Sequence, residues 1–83
     1  MYKITLDKLA KRDLKRLDKN DQIRIISKIK ELKTNPHLGK RLSGNLYGLW
    51  RFRLDKFRIR YRIIEERLII IIIRIKHRKD AYR

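Results

Sequence analysis

The 83-residue sequence predicts an α+β domain of order β-α-α-β-β-β, built from an N-terminal strand, a helical hairpin and an antiparallel sheet. Three observations predict it. A short alternating segment opens the chain, apolar residues then recur at helical spacing as far as residue 34, and from residue 46 the apolar period falls to two. Beyond one run of isoleucines there is no linker, internal repeat or low-complexity stretch, so residues 1–83 are read as a single domain.

Each element follows from its residues. YKITL sets Tyr2, Ile4 and Leu6 against Lys3 and Thr5, the pattern of a strand with one buried face. Asp7 is placed to cap a helix over residues 8–18, in which Leu9, Ala10, Leu14 and Leu17 recur among lysines and arginines. Asn20 or Asp21 restarts the pattern, with Ile23, Ile26, Ile29 and Leu32 on one stripe and Ile25 beside it. This second helix stops near Thr34, because Asn35 precedes Pro36 and is pushed out of the helical region. HLGKRLSGN holds two of the three glycines and reads as a loop. In LWRFRL, Trp50, Phe52 and Leu54 share one face and Arg51 and Arg53 the other; after Asp55 and Lys56, FRIRYRI repeats the alternation from Phe57 to Ile63. Two half-buried strands joined by a tight turn are expected. The last strand, Leu68 to Ile75, is apolar on both sides, as a strand covered on both faces would be, and it belongs inside the sheet.

Composition narrows the function. The chain has no cysteine, which excludes disulfides, thiolate metal sites and a cysteine nucleophile, and which fits a reducing cytoplasm. No basic segment followed by an apolar one marks a signal peptide, and the apolar run at residues 68–73 falls far short of the roughly 20 residues that cross a bilayer. Charge is the dominant feature: 25 Lys and Arg against 9 Asp and Glu give a formal +16. The excess is shared, with Lys dominating the first half and Arg the second. Arginine's planar fork suits phosphate, so nucleic acid is the expected partner; a membrane surface is not, for want of an exposed amphipathic anchor.

The arginines converge. If Asp55 and Lys56 form a two-residue turn, Arg53 pairs with Arg58 and Arg51 with Arg60, placing four like charges on one sheet face. A face that needed only solubility would alternate its signs. The returning isoleucine strand then delivers Lys76, His77 and Arg78 beside the hairpin, with Tyr82 a few residues on; whether Arg74 joins the arginine face or the core turns on a register the sequence leaves open. Two histidines without metal-ligand spacing and few carboxylates argue against a metal-dependent nuclease, and no glycine-rich phosphate loop is present. No cofactor is called for. What is left is a site of guanidiniums, a tyrosine and a histidine, suited to promoting attack of a ribose 2′-OH on its own phosphodiester. His77 is the histidine that such a site could use for proton transfer.

The stretches LSGNLYGLWRFRL, FRIRYRI and KHRKDAY resemble the RelE branch of the RelE/ParE superfamily of toxin-antitoxin toxins, over essentially the whole chain. The resemblance implies a ribosome-dependent endoribonuclease that cuts mRNA in the ribosomal A site without metal, and a cognate RelB-like antitoxin as protein partner. By position, Arg51 and Arg53 fall at the basic strand positions where lysines are often found; Arg58 matches the phosphate-stabilising arginine, Arg78 the C-terminal arginine and Tyr82 the terminal tyrosine. Lys56, Arg60 and Lys76 complete the expected RNA-binding set, and Lys76 stands where glycine is usual. The alternative is a non-catalytic basic module, either a ParE-like gyrase inhibitor or a binder of structured RNA.

Overall fold

A computed structural model describes residues 1–79. Its elements are β1 (Lys3–Leu6), α1 (Lys8–Lys15), α2 (Lys19–Lys30), β2 (Lys40–Arg41), β3 (Trp50–Leu54), β4 (Phe57–Ile64) and β5 (Ile69–His77), with single 3-10 turns at Glu31–Lys33, Gly44–Leu46 and Glu65–Arg67. The expected order is present, with one addition: the loop over residues 37–45 contributes the two-residue strand β2, paired with the start of β3. The sheet runs β1-β5-β4-β3-β2. It is mixed rather than wholly antiparallel, because β1 lies parallel to β5 and the intervening elements carry the chain back to the starting end.

Both helices start at an aspartate. Asp7 accepts a hydrogen bond from the Lys8 amide and opens α1; Asp18, rather than Asn20 or Asp21, opens α2 by accepting from the Asp21 amide at 2.9 Å. α1 is shorter than its apolar pattern suggested, ending at Lys15. In α2 and the 3-10 turn that follows it the buried stripe is Ile25, Ile29 and Leu32, whereas Ile23 and Ile26 are exposed. Ile25, Ile29 and Leu32 follow i, i+4, i+7, the period of a helix lying flat on a sheet. Spacing alone did not distinguish this stripe from its neighbour one residue away.

One core holds the domain. Ala10, Ile25, Ile29 and Leu32 from the helical side meet Phe52, Phe57, Ile59, Tyr61, Ile70, Ile72 and Ile75 on one face of the sheet. β5 is an interior strand between β1 and β4, as its isoleucines required, but it is not buried equally on both sides: Ile70, Ile72 and Ile75 are buried, while Ile69, Ile71 and Ile73 are half-buried. The helices cover a single face. A register shift between Arg60 and Tyr61 lets β5 carry an extra residue, so that Tyr61 pairs with Ile72 and Arg60 with Arg74.

Two polar contacts fix the edges of this core. The Tyr61 hydroxyl accepts from the Gly39 amide at 2.9 Å and donates to the Pro36 carbonyl at 2.8 Å, pinning the segment that leads into β2. Burial pushes the phenol above its ordinary pKa, and the Gly39 amide only partly offsets this. Tyr61→Phe is expected to cost about 1–3 kcal/mol, since it strands one donor and one acceptor, and a chemical denaturation curve measures it.

At the other edge β1 ends opposite Ile72, and Asp13 of α1 takes over as partner of β5. Its Oδ2 accepts from the Ile75 amide at 2.9 Å and from Arg74 Nε at 2.8 Å, while Oδ1 accepts from Arg74 Nη2 at 3.1 Å. Burial opposes ionisation of Asp13, but the hydrogen bonds from Arg74 and Ile75 and the charges of Arg74 and Lys76 outweigh it and hold the carboxyl below its usual range. A depressed folded-state pKa contributes stability that is present above the unfolded value near 3.9 and lost as pH falls through the folded one. Asp13→Ala is therefore expected to lower stability by about 2 kcal/mol at neutral pH and to flatten the dependence below about pH 4, both read from urea melts across that range.

Candidate nucleic-acid interface

The turn between β3 and β4 creates the site. Asp55 adopts a left-handed φ of 52°, which lets two residues reverse the chain and sets Arg53 opposite Arg58 and Arg51 opposite Arg60. Ion pairs hold this turn against α2: Arg24 bonds Asp55, and Lys56 lies 3.8 Å from Asp21. β5 then arrives antiparallel to β4, with Lys76 opposite Arg58. The Arg78 amide donates to the Lys56 carbonyl at 2.6 Å, so the C-terminal segment is fastened to the hairpin as its geometry predicted.

Directly paired residues share a sheet face, so Arg51, Arg53, Arg58, Arg60 and Lys76 all lie on the side away from the core. Lys40 joins them, paired with Arg51 through β2. Sequence reasoning missed Lys40 because two residues inside a glycine-containing loop give no alternation to read. Arg74 also pairs with Arg60, but its guanidinium is committed to Asp13, which settles its place at the α1 edge.

The paired positions of this face carry charge of one sign. Among the described residues the ion pairs involve Arg24, Lys28, His37, Lys56 and Arg74, and none engages Arg51, Arg53, Arg58 or Arg60. Burial, and then the charges of Arg53, Arg58 and Arg60, lower the pKa of Arg51, which stays a cation at any physiological pH. Arg60 Nε is buried and has no hydrogen-bond partner among the described residues. Like charges opposite one another cost about 0.2–1 kcal/mol per pair, and a stranded buried donor adds to that. A phosphate oxyanion bound on this face would relieve the repulsion.

His77 is placed differently from the arginines. It pairs with the buried Phe57, whose ring it meets edge-on at 5.5 Å, and so lies on the helix side of the sheet, in a cleft of about 310 Å³ lined by Asp13, Arg16 and Leu17. Its Nδ1 accepts from the Lys79 amide at 3.1 Å, so the neutral ring carries its proton on Nε2. The structure thus brings Arg51, Arg53, Arg58, Arg60 and Lys76 together, sets Lys56 and Arg78 at their end, and does not bring His77 to the same face. Tyr82 lies outside the described residues. No group of three or more His, Asp or Glu side chains is gathered as a metal site among the described residues, and no helix there is long and apolar enough to cross a membrane.

Known proteins share this fold. The family model of the ParE toxin of the type II toxin-antitoxin system parDE matches residues 4–82. The toxin RelG of Mycobacterium tuberculosis is 33% identical over 88 residues, covering 99% of this chain and 97% of RelG. The RelBE2 toxin-antitoxin complex of Mycobacterium tuberculosis contains a chain that superposes with a TM-score of 0.87 at 29% identity, covering 93% of this chain and 98% of that one. A chain of the RelE–RelB complex of Pyrococcus horikoshii superposes with a TM-score of 0.79 at 25% identity, covering 93% and 94%. The strand order, the helical hairpin and these matches together show that the chain belongs to the RelE/ParE superfamily of type II toxin-antitoxin toxins.

Proposed function

We propose that this toxin is a ribosome-dependent mRNA endoribonuclease, acting in the ribosomal A site and restrained by a cognate RelB-like antitoxin. The observation that carries the reading is the set of four arginines without a carboxylate partner among the described residues, with the Arg78 backbone bonded to the turn beside them. In the proposed reaction the ribose 2′-OH attacks the adjacent phosphorus and the bond to the 5′ oxygen of the next nucleotide breaks, leaving a 2′,3′-cyclic phosphate and a 5′-OH. Arg58 and Arg78 hold the phosphate, Arg51, Arg53 and Arg60 add charge complementarity, and Lys56 and Lys76 contact the flanking backbone. Guanidiniums set in advance around the extra negative charge of the transition state contribute several kcal/mol. We assign acceptance of the 2′-OH proton to Tyr82, and the departing 5′ oxygen takes its proton from solvent water. His77, facing the other side of the sheet, is proposed to brace the β5 end.

The antitoxin reading rests on the toxin-antitoxin complexes of the relatives and on the +16 charge, which favours an acidic partner. The match to the ParE family model favours a second reading, a non-catalytic toxin directed at gyrase. Primer extension on mRNA from cells expressing the toxin separates the two. New RNA ends that disappear with Arg58→Ala, Arg78→Ala and Tyr82→Phe are expected; growth arrest with inhibited supercoiling and unchanged RNA would establish the second reading instead.

A further inference from the structure

A pocket of about 760 Å³ opens at the far end of β3 from the hairpin, and the reading above leaves it unused. Its lining includes His37, Arg41, Tyr47, Leu49, Trp50 and Glu65. Two features distinguish it from a packing defect. The Arg41 guanidinium lies over the Trp50 ring at 5.7 Å and His37 packs on the same ring at 5.0 Å, forming an aromatic and cationic platform. Tyr47 stands beside them 84% exposed, presented by a loop in which Gly48 takes a φ of 92°. A large ring held almost wholly in water against a pocket already containing one aromatic platform is arranged to stack on something.

The pocket lies on the opposite side of the sheet from the arginine face, and the edge strand β2 stands between the two. Lys40 and Arg41 are neighbours in β2, the first paired with Arg51 on the outer face and the second with Trp50 on the pocket side. Because β2 is the edge strand, a polyanion following the arginines to Lys40 reaches Arg41 by turning around that edge. Charge is graded across the pocket as well, from Arg41 at one wall to Glu65, which lies 3.7 Å from His37, at the other. Glu65 repels a phosphate but accepts a hydrogen bond from the amino or imino group of a base edge.

We propose that this pocket is a nucleobase subsite, in which one base of the bound RNA stacks against Tyr47 and the Arg41–Trp50 platform while its phosphate stays at Lys40 and Arg41. This rests on the reading of the arginine face as an RNA surface. Stacking suits the ligand class because every base has a π face, and aromatic platforms beside a basic track are a general means of holding single strands.

Trp50 is the only tryptophan in the chain, so its fluorescence reports the pocket directly. The full chain is titrated with a single-stranded oligoadenylate, with an abasic ribose-phosphate oligomer of equal length, and with an acidic leucine-containing peptide. The oligoadenylate is expected to quench Trp50 and to bind roughly tenfold more weakly to Tyr47→Ala, with Tyr47→Phe retaining affinity. The abasic oligomer is expected to bind through the arginines without quenching, as followed by anisotropy of a labelled 3′ end. Equal quenching by both oligomers, or unchanged affinity in Tyr47→Ala, overturns the subsite while leaving the arginine reading standing. Quenching by the peptide alone assigns the pocket to a protein partner and also overturns it. Failure of both oligomers to bind the parent chain overturns both readings.

Discussion

Arg58→Ala is expected to lower mRNA cleavage by about 10²–10³-fold, the scale on which one pre-set donor to a developing oxyanion contributes. The fold should be untouched. Arg58 makes no ion pair among the described residues and faces Arg53 across the ladder, so its removal relieves repulsion. The thermal midpoint is therefore expected to stay level or rise slightly. Arg58→Lys keeps the charge but loses the two-pronged donor geometry, and an intermediate rate is expected. Single-turnover cleavage together with a thermal melt checks both halves, and a large drop in melting temperature would show that Arg58 serves the fold rather than the phosphate.

Gly39→Ala is expected to be the most damaging small change in the molecule. A Cβ at this position would sit 2.4 Å from the Arg51 carbonyl oxygen and 3.0 Å from the Tyr61 hydroxyl. The first of these is backbone within the β2–β3 ladder and cannot swing aside. Relief requires β2 to separate from β3 or the Gly39–Tyr61 hydrogen bond to break, at a cost of about 3 kcal/mol. In a domain this small each kcal/mol moves the midpoint by roughly 4–8 °C. Gly44→Ala and Gly48→Ala provide the contrast: both positions have positive φ but open space around them, so only backbone strain of about 1 kcal/mol is expected. Differential scanning calorimetry of the three variants ranks them, and a Gly39→Ala protein as stable as the other two would contradict this account of the β2–β3 junction.

The arginine face was legible because it is written in a period of two. Once LWRFRL and FRIRYRI are strands and Asp55-Lys56 is their turn, the pairs Arg53 with Arg58 and Arg51 with Arg60 follow without further information, and the observed register agrees. The approach of Arg78 to the hairpin follows as well, since an antiparallel return from the Glu65 turn leaves the chain no other end to reach. The side of the sheet on which each C-terminal residue falls was not legible. The extra residue in β5 between Ile72 and Arg74 resets the alternation, and nothing in a run of identical isoleucines marks where the extra residue sits. The same ambiguity explains the half-buried Ile69, Ile71 and Ile73: continuous apolar sequence reports tolerance of burial, not the presence of a covering layer. For the second helix, Ile29 and Leu32 of the expected stripe are buried, but the tertiary placement of the helix turned Ile25 inward in place of Ile23 and Ile26. Asp13 was the least visible contributor of all, because a carboxylate on a basic helix is ordinary until the free edge of β5 is known to lie against it.

The central claim, that the arginine face works on mRNA held by the ribosome, is tested most directly with purified protein and ribosomes programmed with a defined message. The expected result is a single new 5′-OH end within the A-site codon for the parent chain, none on the same message free in solution, and none with the Arg58→Ala, Arg78→Ala double variant. Intact message on programmed ribosomes at toxin concentrations that inhibit gyrase supercoiling would contradict it.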